Sequence, residues 1–129
     1  PRGCLMSQRT ILYVEDNEYN RKIVRQLLKR SSCRLIEAGD GETGVALAQQ
    51  DLPDLILMDV QLPKMSGLDA TKRLTTDALT RHIPIIVITS YALSGDREKA
   101  MQAGASSYLA KPYSPSELLA MVKQFLPDL

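Results

Sequence analysis

Short apolar runs alternate with amphipathic stretches along the chain. The first run is Ile11–Val14, and apolar residues then recur at helical spacing from Tyr19 to Leu28. A continuous apolar run is typical of a strand that is covered on both faces, whereas the helical spacing predicts an amphipathic helix. Four further strands are predicted at Leu35–Ala38, Leu55–Met58, Ile83–Ile88 and Ser107–Ala110. Four further helices are predicted at Glu42–Gln50, Leu68–Leu74, Asp96–Ala103 and after the Ser114–Glu117 capping box.

Five strands that alternate with five helices predict an α/β domain with a parallel, doubly wound sheet and right-handed crossovers. Leu35–Ala38 is the least apolar strand, so we expect it at an edge of the sheet. The chain has 129 residues, which is enough for about one domain. We assign that domain to residues 10–129. Residues 1–9 are expected to be an N-terminal extension. Residues 1–5 are expected to be either foreign to the native chain or placed before its true start, for which Met6 is a candidate.

Composition and charge exclude several classes of function. Sixteen basic and fifteen acidic residues give a net charge of +1, which offers no strong attraction to nucleic acid or to an anionic membrane. No apolar run approaches the roughly 20 residues of a membrane span, and the first residues lack a signal-peptide pattern. We therefore expect a cytoplasmic protein. Cys4, Cys33 and the single histidine, His82, lack zinc-ligand spacing, so the cysteines are expected to be reduced thiols.

Polar side chains capable of chemistry follow four of the five predicted strands. In chain order they are Glu15 and Asp16, Asp59, Thr89 and Ser90, and Lys111. In open parallel sheets ligands bind at the carboxyl ends of the strands, so these residues are expected to converge. Crowded carboxylates repel one another unless a cation lies among them. Oxygen ligands without His or Cys favour a hard ion, which predicts a site for Mg²⁺ or Mn²⁺.

This combination of groups suits phosphoryl transfer. A lysine and a hydroxyl provide positive charge and a donor for phosphate oxygens, and a carboxylate can act as nucleophile to form an acyl phosphate. The turn after the first strand lacks the glycines of a dinucleotide site, and no P-loop is present. Gln61 stands where an aspartate-nucleophile phosphatase of the haloacid dehalogenase kind would carry a second aspartate. A Mg²⁺-dependent aspartate-nucleophile phosphatase that acts on a separate substrate remains an alternative.

Five segments together resemble the receiver domain of two-component response regulators. They are Val14–Asn17, Asp54–Pro63, Met65–Gly67, Pro84–Ser90 and Tyr108–Pro112. The resemblance covers residues 10–126 and is greatest to stand-alone division-control receivers and to receivers of hybrid histidine kinases. It implies the flavodoxin-like receiver fold with strand order 2-1-3-4-5.

The resemblance also implies the roles of the acidic residues. Asp59 matches the phosphoacceptor, and Asp16 and Asp59 match direct Mg²⁺ ligands. The backbone carbonyl of Gln61 would be a third ligand, and Glu15 would hold a metal-bound water. Lys111 would pair with Asp59 and then with the phosphoryl group.

Further positions match the switch of the receiver family. Thr89 would bind a phosphoryl oxygen, and Tyr108 matches the aromatic residue that moves inward with that hydroxyl. Ser90 departs from the usual alanine, so small steric and polar effects are expected there. Lys111–Pro112 matches the family's cis peptide bond.

The implied protein is a phosphoacceptor and not an enzyme with an external substrate. It catalyses only its own phosphorylation and dephosphorylation, and Gln61 and Tyr91 are expected to tune the second reaction. The implied partners are a histidine kinase or histidine phosphotransfer protein and a downstream protein. The downstream protein would bind the face formed by the fourth helix, the fifth strand and the fifth helix. Nucleic acid and membrane are not expected partners.

Overall fold

The computed structural model describes residues 8–90 and 95–129, so most of the expected extension at 1–9 and Tyr91 lie outside it. Within those residues, five strands alternate with five helices. In chain order they are β1 (Thr10–Val14), α1 (Glu18–Leu28), β2 (Arg34–Ala38), α2 (Gly41–Asp51), β3 (Leu55–Asp59), α3 (Gly67–Thr76), β4 (Ile85–Thr89), α4 (Asp96–Gln102), β5 (Ser107–Ala110) and α5 (Pro115–Phe125). None of the described helices is long and apolar enough to span a membrane.

The strands form one parallel sheet in the order β2-β1-β3-β4-β5, which confirms the predicted fold class, strand order and edge position of β2. Every residue of β3 and β4 is buried, as their apolar runs predict for central strands. β4 begins at Ile85, two residues later than predicted, and it includes Thr89. The later start has a physical reason, because Pro84 has no N–H to donate to the sheet.

Helices cover both faces of the sheet and enclose two apolar layers. The first layer lies beneath α1 and α5, and its helical residues are Val24, Leu28, Leu118 and Val122. The second lies beneath α2, α3 and α4, and its helical residues are Val45, Ala48, Ala70, Leu74 and Ala100. The sheet is therefore doubly wound. The helices do not cover the carboxyl ends of its strands, where the polar residues lie.

Helix α1 is less deeply buried than its sequence pattern predicts. Val24 and Leu28 are buried, but Tyr19 is 71% exposed and Ile23 is 44% exposed. The apolar face of α1 is wider than the part of the helix that packs against the sheet. Tyr19 and Ile23 consequently lie at the surface, although they share the helical spacing of the core residues.

Candidate functional site

Three carboxylates meet at the carboxyl ends of β1 and β3. Glu15 and Asp16 directly follow β1, and Asp59 is the last residue of β3. The two strands are neighbours, with Val14 paired to Met58, so their ends lie side by side. One oxygen from each carboxylate lies within 4.8 Å of the others. Glu15 is 1% exposed and Asp59 is 2% exposed, whereas Asp16 is exposed. The predicted convergence of the acidic residues is thus found in the structure.

Lys111 reaches this cluster from the end of the edge strand β5. It follows β5, and its backbone N–H donates to the carbonyl of Thr89 at 2.7 Å. Its Nζ lies 3.1 Å from Oδ2 of Asp59 and 3.4 Å from Oε1 of Glu15. Burial alone would lower the pKa of Lys111, but the charges of Asp59 and Glu15 and its bonds to them outweigh burial and raise it. The amine is therefore an ammonium at neutral pH.

Glu15 is held in place by groups from its own strand and turn. The hydroxyl of Tyr13 donates to Oε1 at 3.2 Å, and the N–H of Asn17 donates to Oε2 at 3.1 Å. Burial, followed by the proximity of Asp59, raises the pKa of Glu15. Burial and the neighbouring Glu15 raise the pKa of Asp16 as well. Desolvation is the larger cause of both shifts, and the proximity of the carboxylates to one another adds to it.

The donor set fits Mg²⁺ or Mn²⁺. Three carboxylates supply several oxygen atoms, and Lys111 contacts two of the three among the described residues. Oxygen donors are the preferred ligands of these hard cations. Burial raises the pKa of Glu15 and Asp16, and repulsion between neighbouring carboxylates raises it further; a divalent cation would relieve that repulsion. Asp16, Asp59 and Glu15 are the residues that would hold it.

The turn after β3 is built closely around Asp59. The N–H of Gln61 donates to Oδ1 of Asp59 at 3.2 Å, and the N–H of Gly67 donates to the carbonyl of Val60 at 2.9 Å. A Cβ atom at Gly67 would overlap the carbonyl oxygen of Asp59. The first residue of α3 therefore has to be glycine for the helix to pack against the phosphoacceptor candidate. The sequence pattern predicts the start of this helix at Leu68, one residue after the Gly67 at which α3 begins. The signal that could have identified it is its position directly after Ser66, whose side chain caps α3.

Thr89 and Ser90 lie at the end of β4, beside β3. Thr89 is fully buried and follows Ile88, the residue that pairs with Asp59. Ser90 is exposed. It borders a cavity of about 530 Å³ that is also lined by Asn20, Ile23, Lys111, Pro112 and Tyr113. The Lys111–Pro112 peptide bond is cis, as the resemblance implies.

Tyr108 lies on the same face of the sheet as Thr89. It pairs with Val87, and Val87 and Thr89 are two residues apart on β4. Side chains two residues apart on a strand point to the same face, and so do paired side chains on parallel neighbours. Tyr108 is half-buried and packs against the apolar layer beneath α2, α3 and α4. Tyr91, the other aromatic residue singled out from the sequence, falls outside the described residues.

Sequence comparison identifies a family that contains this arrangement. Residues 11–123 match the family described as response regulator receiver domain. The polar-differentiation response regulator DivK of Brucella anthropi is 42% identical over 120 residues, which cover 93% of this chain and 98% of DivK.

Solved structures with the same fold include metal-bound receivers. The receiver domain of sensor histidine kinase PA1611 from Pseudomonas aeruginosa PAO1 has a TM-score of 0.86 and 36% identity, and the match covers 94% of this chain and 99% of that one. That structure has a magnesium ion coordinated in its active-site cleft. The Mn²⁺-bound response regulator Rcp1 has a TM-score of 0.77 and 29% identity, with 90% of each chain covered.

Proposed function

The chain belongs to the family of response regulator receiver domains of two-component signalling. We propose that Asp59 is the residue that accepts the phosphoryl group. One observation carries this assignment. The Asp59 carboxylate is 2% exposed at the end of the central strand, and the Lys111 ammonium lies 3.1 Å from one of its oxygens. A buried carboxylate that keeps a charged partner at the open edge of the sheet is placed to act as a nucleophile.

The proposed reaction transfers a phosphoryl group from a histidine of a partner protein. An oxygen of Asp59 forms the new P–O bond while the P–N bond to the histidine breaks and its electron pair returns to the ring nitrogen. Lys111 is close enough to follow the added negative charge, because its Nζ already contacts Asp59. Mg²⁺, when bound, would supply further positive charge for the phosphoryl oxygens. Among its proposed ligands are Asp16, Asp59 and the backbone carbonyl of Gln61, with Glu15 acting through a water.

The proposed switch runs from Asp59 to the far edge of the sheet. A phosphoryl group adds about −1.5 to −2 charge and three acceptor oxygens. Thr89, at the end of the strand beside Asp59, is the proposed donor to one of those oxygens. Ser90 is proposed to add a polar contact at the same strand end. Because Tyr108 shares its sheet face with Thr89, a shift of Thr89 toward the phosphoryl group would change the packing of Tyr108. The face formed by α4, β5 and α5 is therefore the proposed binding surface for a downstream protein.

The lifetime of the phosphoryl group is proposed to depend on Gln61. Its backbone N–H donates to Asp59 at 3.2 Å, which places it beside the reacting carboxylate. Its side chain, together with that of Tyr91, is the proposed control on access of water to the acyl phosphate. The only reactions that the chain catalyses in this proposal are its own phosphorylation and dephosphorylation. The proposed partners are a histidine kinase or histidine phosphotransfer protein and a target protein in the cytoplasm.

Acyl-phosphate labelling tests the proposed phosphoacceptor. Acetyl phosphate with Mg²⁺ should add one phosphoryl group per chain, labile as an acyl phosphate is, measured by intact-protein mass spectrometry. Asp59→Asn should abolish the added mass and keep the fold, because asparagine has nearly the same size but is a poor nucleophile. Asp54→Asn is the matched control and should be labelled like the wild type, since Asp54 lies at the opposite end of β3. Labelling of the Asp59 variant would contradict the assignment, and sustained turnover of a phosphomonoester would instead favour a phosphatase.

A further inference from the structure

Arg21 is the centre of an ionic network that joins α1, β2 and the turn after β1. Its Nη1 donates to the backbone carbonyl of Glu15 at 2.6 Å, and its Nη2 donates to Glu18 at 2.7 Å. Its Nε lies 3.5 Å from Glu37 on β2. The side chain of Arg21 is only 18% exposed, although arginine side chains are mostly exposed in proteins. Its guanidinium thus makes specific contacts to three groups of the fold and differs from a solvated surface charge.

Arg25, one turn further along α1, provides a natural comparison. It binds the same two carboxylates, with Nε and Nη2 each 2.7 Å from an oxygen of Glu37 and Nη2 also 3.1 Å from Glu18. Its side chain is 45% exposed. The bond to the Glu15 carbonyl is the feature that separates Arg21 from Arg25.

That carbonyl lies where the sheet has ended. The N–H of Glu15 still donates to Ala38 on β2 at 2.9 Å, but β1 ends at Val14, and the Glu15 carbonyl is held by Arg21. This carbonyl belongs to the peptide unit that leads into Asp16. Its orientation therefore fixes the relative directions of the Glu15 and Asp16 side chains. A charge-assisted bond to a guanidinium that two carboxylates hold in place gives that peptide unit a rigid support.

We infer that Arg21 is a positioning residue for the metal site, which it serves by fixing the peptide unit between Glu15 and Asp16. The inference rests on the proposed function, because it assumes that these carboxylates hold Mg²⁺. Groups that orient metal ligands without touching the metal commonly change its affinity by about 10–100-fold when they are removed. Arg21 would act in this way through the backbone.

Mg²⁺ titration of two matched variants by isothermal titration calorimetry tests the inference. Arg21→Ala should raise the Mg²⁺ dissociation constant at least about tenfold. Arg25→Ala, which loses contacts to the same carboxylates, should change it by less than about twofold, because exposed ion pairs contribute little. Arg21→Lys should lie between the wild type and Arg21→Ala, since an ammonium can donate to the carbonyl but cannot also bridge both carboxylates. The titrations are made under conditions in which circular dichroism shows each variant to be folded.

The outcomes separate this inference from the proposed function. If the wild type binds Mg²⁺ and the two alanine variants weaken binding equally or not at all, Arg21 has no positioning role but the proposed function stands. If the wild type does not bind Mg²⁺, the proposed function itself is wrong. Should Arg21→Ala fail to fold, Arg21→Lys and Arg25→Lys form a milder pair with the same expected order. Amide shifts of Asp16 and Asn17 in NMR spectra should move in the Arg21 variants before any metal is added, and unchanged shifts would contradict the inference.

Discussion

At the scale of single residues, Lys111 stabilises the folded protein when no metal is bound to the acidic site. Glu15 and Asp59 are both nearly inaccessible to water, and Lys111 contacts both of them. Removal of one partner of a buried ion pair leaves an uncompensated charge, which usually costs more than the pair contributes. The same ammonium that is proposed to bind the phosphoryl group therefore also supports the fold of the unphosphorylated protein.

Replacement of this ammonium should destabilise the metal-free protein in a pH-dependent manner. Lys111→Met should lower the free energy of unfolding by about 2 kcal/mol near pH 8, less than for a fully buried pair because Lys111 keeps some exposure. The pKa of Glu15 is raised by burial and by Asp59, so the folded state takes up a proton more readily than the unfolded state. The stability that this proton uptake contributes is present at low pH and is lost as pH rises through the folded pKa. The deficit of the variant should consequently shrink toward pH 5.

Urea unfolding in EDTA between pH 5 and pH 8 measures that deficit. Lys123→Met on the exposed side of α5 is a suitable control and should show a small effect that does not vary with pH. A Lys111 deficit that is constant or that grows as pH falls would contradict the account of Glu15.

Residues also show where sequence reasoning reaches its limit. Glu15, Asp16, Asp59 and Lys111 could be predicted because each lies within two residues of the end of an apolar run, and the ends of parallel strands meet. The bond from Arg21 to the Glu15 carbonyl could not, because the spacing of α1 predicts only that Arg21 lies on its polar side. Which polar residue turns back toward a strand end depends on the three-dimensional position of β2, which supplies Glu37.

At the scale of secondary-structure elements, the contact between α3 and β3 is the tightest constraint near the site. The N–H of Gly67 is bonded to the carbonyl of Val60, so the start of α3 is fixed to the turn that follows Asp59. The atoms that a side chain at Gly67 would meet are backbone atoms of Asp59 and Val60, which cannot move aside as a flexible side chain could.

Gly67→Ala should therefore disturb both stability and phosphorylation. We expect a loss of about 1–3 kcal/mol in the free energy of unfolding, because the helix has to move away from β3 to accommodate a methyl group. The same movement should displace Asp59 and slow its labelling by acetyl phosphate. Lys72→Ala is the control, because Lys72 is an exposed residue of the same helix. Equal stability and equal labelling rates in the two variants would contradict the proposed role of Gly67.

Element boundaries and faces were predictable to different degrees. The capping box at Ser114 and Glu117 located the start of α5, because its residues act locally. The helical spacing correctly predicted α1, but it did not show that Tyr19 and Ile23 lie at the surface. Helical periodicity shows which residues share a side of the helix. How much of that side is covered depends on the neighbouring elements.

At the scale of the whole molecule, the fold could be predicted almost completely, because the handedness of strand–helix–strand connections determines where each successive element lies. Right-handed crossovers place helices on both faces of a parallel sheet, and the resemblance to receivers supplied the strand order. The sheet then brings residues as distant in sequence as Glu15 and Lys111 to 3.4 Å. The cost of this arrangement is concentrated negative charge at one edge of an otherwise nearly neutral chain. Stability of the entire domain should therefore depend on cations at that edge.

Mg²⁺ should stabilise the folded domain by binding to it and not to the unfolded chain. At about 100 times its dissociation constant, the ion should add about 2.7 kcal/mol, which corresponds to a rise in Tm of roughly 8–12 °C for a chain of this size. Differential scanning calorimetry at constant ionic strength, with NaCl replacing MgCl₂ in the control and EDTA reversing the effect, measures the shift. Asp16→Asn should remove most of the response and leave the metal-free domain at least as stable as the wild type, because Asp16 is exposed and its charge is repelled by Glu15. An equal rise in Tm with NaCl, or an undiminished response in Asp16→Asn, would show that the three carboxylates do not form a metal site.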